Sequence, residues 1–421
     1  MSFKSAISSR IAQYITSEGR VLQKRRAFER QRARRGEAHD VHYFHHVADP
    51  YAHLTLQVLA DLQKTYAITL KIHLISAPPD CAVPEKEALA AYALVDANRL
   101  AGHYGLSGPG SVQPEAAQIA LAEALVAAEL EAGADIGKLL SISMNLWSAK
   151  ELPASGATAS QQAKAEGDAL LSQYGHYLGA TFYYGGEWYW GVDRLHYLEE
   201  RLHELGLGPV TQHLPLHAPV SEMPEDTQID LFLSFRSPYS YLTFERTFAL
   251  ADQAGVAVNI RPVLPMVMRG LPVPAAKRKY ILADAAREAR FHDVPFGRIC
   301  DPLGKAIERG YSLLKFADEN NRLKEFCGAF MSSVWSAGID ASTNKGLERI
   351  LTSAGLDWDA ARECVDNEDW RVQIEQNRQH MMQLGLWGVP SYGVGKVGIW
   401  GQDRLWALED ALSDLTADVQ N

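Results

Sequence analysis

One pattern occurs twice in this chain and limits what it can fold into. An apolar run leads straight into a helical segment, with Pro-Tyr at the junction. Asp49-Pro50-Tyr51-Ala52 stands in the first half where Ser237-Pro238-Tyr239-Ser240 stands in the second. Trp147-Ser148-Ala149 is echoed by Trp335-Ser336-Ala337, and Trp190-Gly191-Val192-Asp193-Arg194-Leu195 by Trp400-Gly401-Gln402-Asp403-Arg404-Leu405. Self-similarity of this kind marks two copies of one supersecondary plan. Thirteen residues before the shared Asp, Ala180 falls opposite Pro390. Trp147 and Trp190 are 43 residues apart but Trp335 and Trp400 are 65 apart, so the first copy is shorter inside that stretch.

Periodicity supplies the plan. Val41 to Val47 and Ile68 to Ile75 read as strands, with a helix over Tyr51 to Lys64 between them. A helical region follows, Ala-rich from Ala116 to Ala132. Thr181 to Trp190 reads as a hairpin around Gly185-Gly186, and a last helix begins near Asp193. The second half repeats the order: strand Ile229–Phe235, helix Tyr239–Ala254, strand Val256–Arg261, a helical insert over about Pro274–Leu384, hairpin Tyr392–Trp400 and helix Asp403–Leu415. Gly206 to Gln228 is rich in Pro and His and lacks periodicity, which marks a linker. The expected division is a basic helical extension at 1–38, one α/β domain at 39–205, a linker at 206–227 and a second α/β domain at 228–418.

The chain has 421 residues, 47% of them hydrophobic and 22% charged, the balance of ordinary globular protein. No stretch of eighteen apolar residues appears, so no membrane span is expected. The first residues lack the pattern of a secretory leader, and a cytoplasmic location is expected. Cys81, Cys300, Cys327 and Cys364 are scattered outside metal-ligand spacing, which fits idle thiols in a reducing compartment. Residues 1–36 carry ten Lys or Arg against Glu18 and Glu29. Of the net charge of −10, this segment holds +8 and the remainder −18. An acidic body argues against a nucleic-acid enzyme. The basic segment has Phe3, Ile7, Ile11, Tyr14 and Ile15 on one helical side. It reads as an arm docking on its own body or on a second subunit, which leaves a homo-oligomer open; membrane or nucleic-acid contact is the weaker reading.

Three distant pieces of the second half converge if the sheet forms. Ser237 opens the first helix, Val389-Pro390-Ser391 precedes the third strand, and Gln402-Asp403-Arg404 opens the last helix. A helix start offers free backbone N–H groups and a partial positive charge. Each residue also has a plain structural reading. Ser237 before Pro238 is a natural N-cap with Pro at N1. Val-Pro is usually trans. Asp403 suits any helix start, and Arg404 suits a salt bridge.

Taken together, Phe235 through Leu242, Gly388-Val389-Pro390 and Trp400 through Leu405 resemble the 2-hydroxychromene-2-carboxylate isomerases and kappa-class glutathione transferases, relatives of DsbA-type thioredoxin-fold enzymes. Tyr280-Ile281-Leu282-Ala283-Asp284 and Asp293-Val294-Pro295-Phe296 fit the same likeness. It covers about residues 228–416 well and 40–205 weakly. It implies two tandem thioredoxin-like α/β domains, each with a helical insertion. Ser237-Pro238-Tyr239-Ser240 stands where disulfide enzymes of this fold carry Cys-x-x-Cys, and a hydroxyl cannot serve as the redox thiolate. The resemblance implies glutathione as co-substrate. Ser237 would stabilise its thiolate and a cis Pro390 would present the Val389 backbone to it. Asp403 would pair with the γ-glutamyl ammonium, and Gln402 with the adjacent carboxylate. The reaction would be isomerisation or transfer on a small electrophilic substrate, aromatic or unsaturated carbonyl. Tyr239, Tyr241, Met266, Met268 and Trp335 are candidate pocket walls, or plain core. Lys277 and Lys279 are candidate partners for an acid group, or solvated helix-start residues.

In the first copy Asp49 replaces the serine, Ala180 the proline and Val192 the glutamine. An aspartate repels a thiolate. This copy is expected to have lost glutathione binding. His42, His45, His46, Asp49 and His53 offer metal-ligand chemistry, but their spacing matches no standard site and no metal is expected. Two rival readings remain. One is a redox-inactive thioredoxin-like binding or scaffold protein. The other is a disulfide oxidoreductase, disfavoured by the missing Cys-x-x-Cys.

Overall fold

A computed structural model of the chain describes residues 3–153, 159–210 and 227–420. Most of the expected linker, 211–226, lies outside the described residues. The strands are β1 (Asp40–His45), β2 (Thr69–Leu74), β3 (Thr181–Tyr184), β4 (Glu187–Trp190), β5 (Gln228–Leu233), β6 (Ala257–Pro262), β7 (Ser391–Val394) and β8 (Val397–Trp400). They form two four-stranded sheets of identical plan, β2-β1-β3-β4 and β6-β5-β7-β8. In each, the first two strands run parallel, as Val41 beside Leu70 and Leu231 beside Ile260 show. The hairpin then adds antiparallel, with Tyr43 opposite Phe182 and Leu231 opposite Tyr392. A parallel pair needs a helical crossover. Pro50–Thr65 and Pro238–Ala254 provide it.

Both crossover helices begin alike. Asp49 and Ser237 are extended N-caps followed by Pro at the first helical position. Proline has no N–H to lose there and its fixed φ suits the helix. Asp49 Oδ1 accepts from the Tyr51 N–H at 2.9 Å, and Ser237 Oγ from the Ser240 N–H at 3.1 Å. A further pair repeats across the copies. The Tyr51 hydroxyl donates to buried Asp96 at 2.9 Å, and the Tyr239 hydroxyl to buried Asp284 at 2.8 Å, each across 45 residues. One offset of 188 relates 49 to 237, 51 to 239, 96 to 284 and 147 to 335. Past the Trp it becomes 210, as from 180 to 390 and from 193 to 403. The extra residues of the second copy therefore lie between its Trp335 helix and its hairpin. Helices Asn344–Ser353 and Trp358–Ala361 lie there, followed by Trp370–Gln383.

Each sheet has its own core. Val41, Tyr43, Leu59, Phe182, Tyr189 and Leu198 are buried in the first; Leu231, Phe235, Phe330, Val334, Tyr392 and Leu408 in the second. Each such side chain contributes about 2 kcal/mol on burial. Phe235 stacks on Phe330 at 4.3 Å and meets Tyr311 edge-on at 5.1 Å. Phe235→Ala would leave a cavity costing about 3–5 kcal/mol.

The chain divides into two compact units, but not at the linker alone. One unit takes the described residues among 1–21, 216–273 and 281–421; the other those among 22–215 and 274–280. The basic N-terminal extension, expected as one body, is two helices, Phe3–Thr16 and Glu18–Arg35. The break falls at Ser17, whose carbonyl and hydroxyl both accept from the Arg20 N–H, at 3.1 and 3.4 Å. In the first unit Arg290 donates to the Thr16 carbonyl at 3.1 Å, a cation at a helix C-terminus. In the second, Arg25 binds Glu187 through two nitrogens, at 2.7 and 2.9 Å. The sequence shows helical periodicity throughout the extension but not which surface each turn meets. No described helix is long and apolar enough to cross a membrane.

Candidate functional site

Ser237, Val389, Pro390 and the Gly401–Asp403 turn come together at one end of the second sheet. Strand β5 delivers the chain to the helix start, and the loop before β7 returns beside it. The Ser237 hydroxyl donates to the Val389 carbonyl at 3.3 Å while accepting the capping bond from Ser240 N–H. The Val389–Pro390 peptide is cis. The Pro390 carbonyl accepts from the Gly401 N–H at 3.0 Å, which brings the turn before helix Leu405–Gln420 to the same loop.

The loop is fixed from beneath. The buried Ser391 hydroxyl donates to the Gly388 carbonyl at 2.7 Å. A Cβ on Gly388 would sit 2.7 Å from the Trp400 ring, so only glycine lets that indole pack there. Gly401 has φ +123°, and a Cβ on it would lie 2.6 Å from Asp403 Oδ1. Glycine there gives the carboxylate its room.

Exposure sorts these residues by role. Ser237, Val389 and Asp403 are half-buried and reach solvent; Pro390 and Gln402 are buried. Asp403 Oδ1 lies 3.4 Å from buried Arg404, as the structural reading of Arg404 predicts. Ser240 is fully buried, and its hydroxyl accepts from the Ser234 N–H at 3.3 Å. It faces inward, away from any ligand of Ser237.

Gln402 differs from the sequence expectation. Its side chain is 2% exposed. Its Oε1 accepts from Arg246 at 2.9 Å and its Nε2 donates to Glu288 Oε2 at 2.6 Å. Both ends of the amide are occupied within the protein, so the side chain is not presented to a ligand carboxylate. The sequence reading missed Arg246 and Glu288, and it quoted Asp284 in the family likeness without assigning it a buried role. The available signal was two acids one turn apart among alanines, in Asp284-Ala285-Ala286-Arg287-Glu288-Ala289. An acid on an alanine face of a helix is a buried acid, and a buried acid needs partners.

The candidate pocket walls are largely committed elsewhere. Tyr239 donates to Asp284, Tyr241 to the Pro295 carbonyl at 2.7 Å, and Trp335 Nε1 to the Phe235 carbonyl at 3.0 Å. Met266 and Met268 lie half-buried on a short 3-10 turn. Lys277 donates to the Ala82 carbonyl at 3.0 Å, and burial lowers its pKa; Lys279 is exposed.

The first copy shows what the site becomes without its serine. Asp49 is half-buried, and desolvation raises its pKa to about 6. Ala180, opposite Pro390, lies at φ +51°. A Cβ on Gly179, opposite Val389, would meet His46 Cβ at 2.8 Å, so His46 closes on the loop. The histidines disperse to separate partners. His42 bonds His73 at 2.9 Å, His45 faces the Tyr43 hydroxyl at 3.3 Å, and His53 bonds Ser143 at 2.8 Å. Among the described residues no group of three His, Cys, Asp or Glu is arranged to hold a metal ion.

Known proteins match the second copy. The family description of the DSBA-like thioredoxin domain matches residues 228–413. A 2-hydroxychromene-2-carboxylate isomerase of Sphingobium xenophagum is 29% identical over 194 residues, spanning 44% of this chain and 98% of the relative. One from Pseudomonas sp. (strain C18) is 21% identical over 192 residues, spanning 44% and 89%. A solved 2-hydroxychromene-2-carboxylate isomerase is similar at 21% identity and a TM-score of 0.40, covering 46% of this chain and 98% of that one. The matched stretch starts at β5 and holds Ser237, Val389, Pro390 and Asp403, so the part of the chain that resembles the DSBA-like thioredoxin domain is the part that carries these residues.

Proposed function

We propose that the second copy is a glutathione-dependent isomerase or transferase acting on a small electrophilic substrate, with Ser237 stabilising the glutathione thiolate. The observation that carries this is the Ser237 hydroxyl at a helix N-terminus, bonded to the Val389 carbonyl. Turning that hydroxyl proton toward an arriving sulfur gives the thiolate a hydrogen bond. The capping bond survives, because Ser237 Oγ only accepts from Ser240 N–H. The same rotation releases the Val389 carbonyl to accept the cysteinyl N–H of glutathione. The helix start adds partial positive charge, which favours thiolate over thiol. Asp403, half-buried on the turn bonded to the Pro390 loop, is set to receive the γ-glutamyl ammonium.

In the reaction, the thiolate adds to the electron-poor carbon of an unsaturated carbonyl. A C–S bond forms and the π pair moves onto oxygen. The former double bond is now single and rotates. Collapse of the enolate expels the thiolate and restores the double bond, so the reaction is redox-neutral and glutathione is regenerated. The relatives' name makes 2-hydroxychromene-2-carboxylate the first substrate to try.

Glutathione titration of the full chain tests this reading. Binding in the micromolar to millimolar range, lost in Ser237→Ala and in Asp403→Ala, supports it. Absence of binding at several millimolar overturns it.

A further inference from the structure

We propose that Arg246, Gln402 and Glu288 form one positioning unit that fixes Asp403 relative to Ser237. The inference rests on reading the site as a glutathione site. Arg246 lies on helix Pro238–Ala254, the helix that Ser237 caps; Glu288 lies on helix Ala275–Phe291. The Gln402 amide is held between them, its oxygen on the guanidinium and its nitrogen on the carboxylate. Arg246 also lies 3.4 Å from the Gln402 carbonyl. Asp403 is the next residue. The turn that carries it is therefore tied at its backbone to Pro390 and at its side chain to the Ser237 helix.

The amide can sit only one way round. Flipped, its NH2 would face the guanidinium and its oxygen the carboxylate, with both contacts repulsive. Glu288 is 3% exposed, so its charge depends on partners.

The internal repeat supplies a natural comparison. At the offset of 188, Arg246 corresponds to Val58 and Glu288 to Leu100; at 210, Gln402 corresponds to Val192. Leu100 and Val192 are buried, as their counterparts are. All three polar groups have become aliphatic in the copy whose serine is an aspartate, while Asp193 and Arg194 persist. Removing one member of a buried polar network strands the others, whereas exchanging the whole set for apolar residues is often neutral for stability. The first copy keeps the same sheet without the set. The fold does not need these groups; the copy with the intact site holds them.

Three variants of the full chain test the proposal against two probes, glutathione and its analogue lacking the α-amino group. Gln402→Glu places a carboxylate against Glu288 and is expected to weaken glutathione binding about tenfold or more, equal to about 1.4 kcal/mol. Adding Glu288→Gln restores the alternation of charge and recovers the affinity. The transplant Arg246→Val/Glu288→Leu/Gln402→Val copies the first repeat. It is expected to fold, as circular dichroism reads, and to lose the same factor for glutathione. The deaminated analogue binds all variants as it binds wild type, and the acidity of the bound thiol, read by thiolate absorbance, does not move. Equal losses for both probes, or a transplant variant that binds glutathione like wild type, would overturn the positioning role. Failure of the wild type to bind glutathione is the separate result that removes the parent reading, and this inference with it.

Discussion

The hydroxyl of Ser237 donates to the carbonyl oxygen of Val389 at 3.3 Å, across 152 residues of chain. That bond joins the start of the crossover helix to the loop before β7. Ser237 thereby serves as a helix cap and as a hydroxyl donor to that loop. The two roles separate under substitution.

Ser237→Ala removes both roles. The lost cap costs about 1 kcal/mol of stability, and glutathione binding falls below detection. Ser237→Asp, which copies Asp49, keeps a capping oxygen and so holds stability within about 0.5 kcal/mol. It still abolishes binding, because a carboxylate faces the thiolate. Urea unfolding and isothermal titration of the two variants measure both quantities. Retained binding in the aspartate variant would argue against a thiolate at this position.

Asp403→Asn keeps the shape of the turn and removes the charge. Charge-assisted hydrogen bonds contribute about 1.5–3 kcal/mol, so glutathione affinity drops about 10- to 100-fold. The deaminated analogue, lacking the ammonium, binds this variant and wild type equally. A loss shared by both ligands would mean that Asp403 acts only through the turn.

Tyr239→Phe takes a donor from buried Asp284, which keeps Arg287. Tyr51→Phe does the same to Asp96, which keeps Tyr92 at 3.4 Å. Each is expected to destabilise its own unit by about 1–3 kcal/mol. Hydrogen exchange followed by mass spectrometry resolves which sheet loses protection in each variant. Protection lost in the other sheet would contradict the assignment.

The unit that holds β1–β4 should weaken in acid. Burial lowers His45 to about 3 and His46, His53 and His73 to about 4, against 6.5 for the unfolded chain. A depressed folded pKa means the unfolded state binds more protons below 6.5. The stability these groups lend is thus present above 6.5 and lost as pH falls toward 4. Asp49, raised from 3.8 to about 6, runs the other way and gains as pH falls through 6. Four histidines outweigh one carboxylate. Fully buried His45 alone accounts for about 2 kcal/mol between pH 7.5 and 5. Urea midpoints at those two pH values, followed by hydrogen exchange in β1–β4, test the sign; an unchanged or higher midpoint at pH 5 would refute it.

Much of the molecule was legible in advance. Both sheets, their crossover helices and the two hairpins followed from alternation, β-branching and Gly-Gly or Pro-Tyr punctuation, because such local signals repeat in each copy. The pairing of Ser237 with Val389-Pro390 followed from where a strand-helix-strand plan must return its loop. The split of the N-terminal extension at Ser17 did not follow, since helical periodicity runs through it and only the surfaces on either side differ. Gln402 was misread as ligand-facing for a related reason. Its sequence position beside Asp403 says nothing of which way an amide turns.

The sequence by itself determined that there are two copies of one α/β plan, that the first has Asp49 for a serine, and that no Cys-x-x-Cys is available for disulfide exchange. These are properties of residue identity and spacing. Only the tertiary structure decided that Ser240 faces inward, and that Gln402 is committed to Arg246 and Glu288 while Asp403 still reaches solvent. The physical reason is that burial and hydrogen-bond satisfaction belong to groups brought together from far along the chain. Gln402 bonds across 156 residues to one partner and 114 to the other, and no local pattern encodes such a meeting.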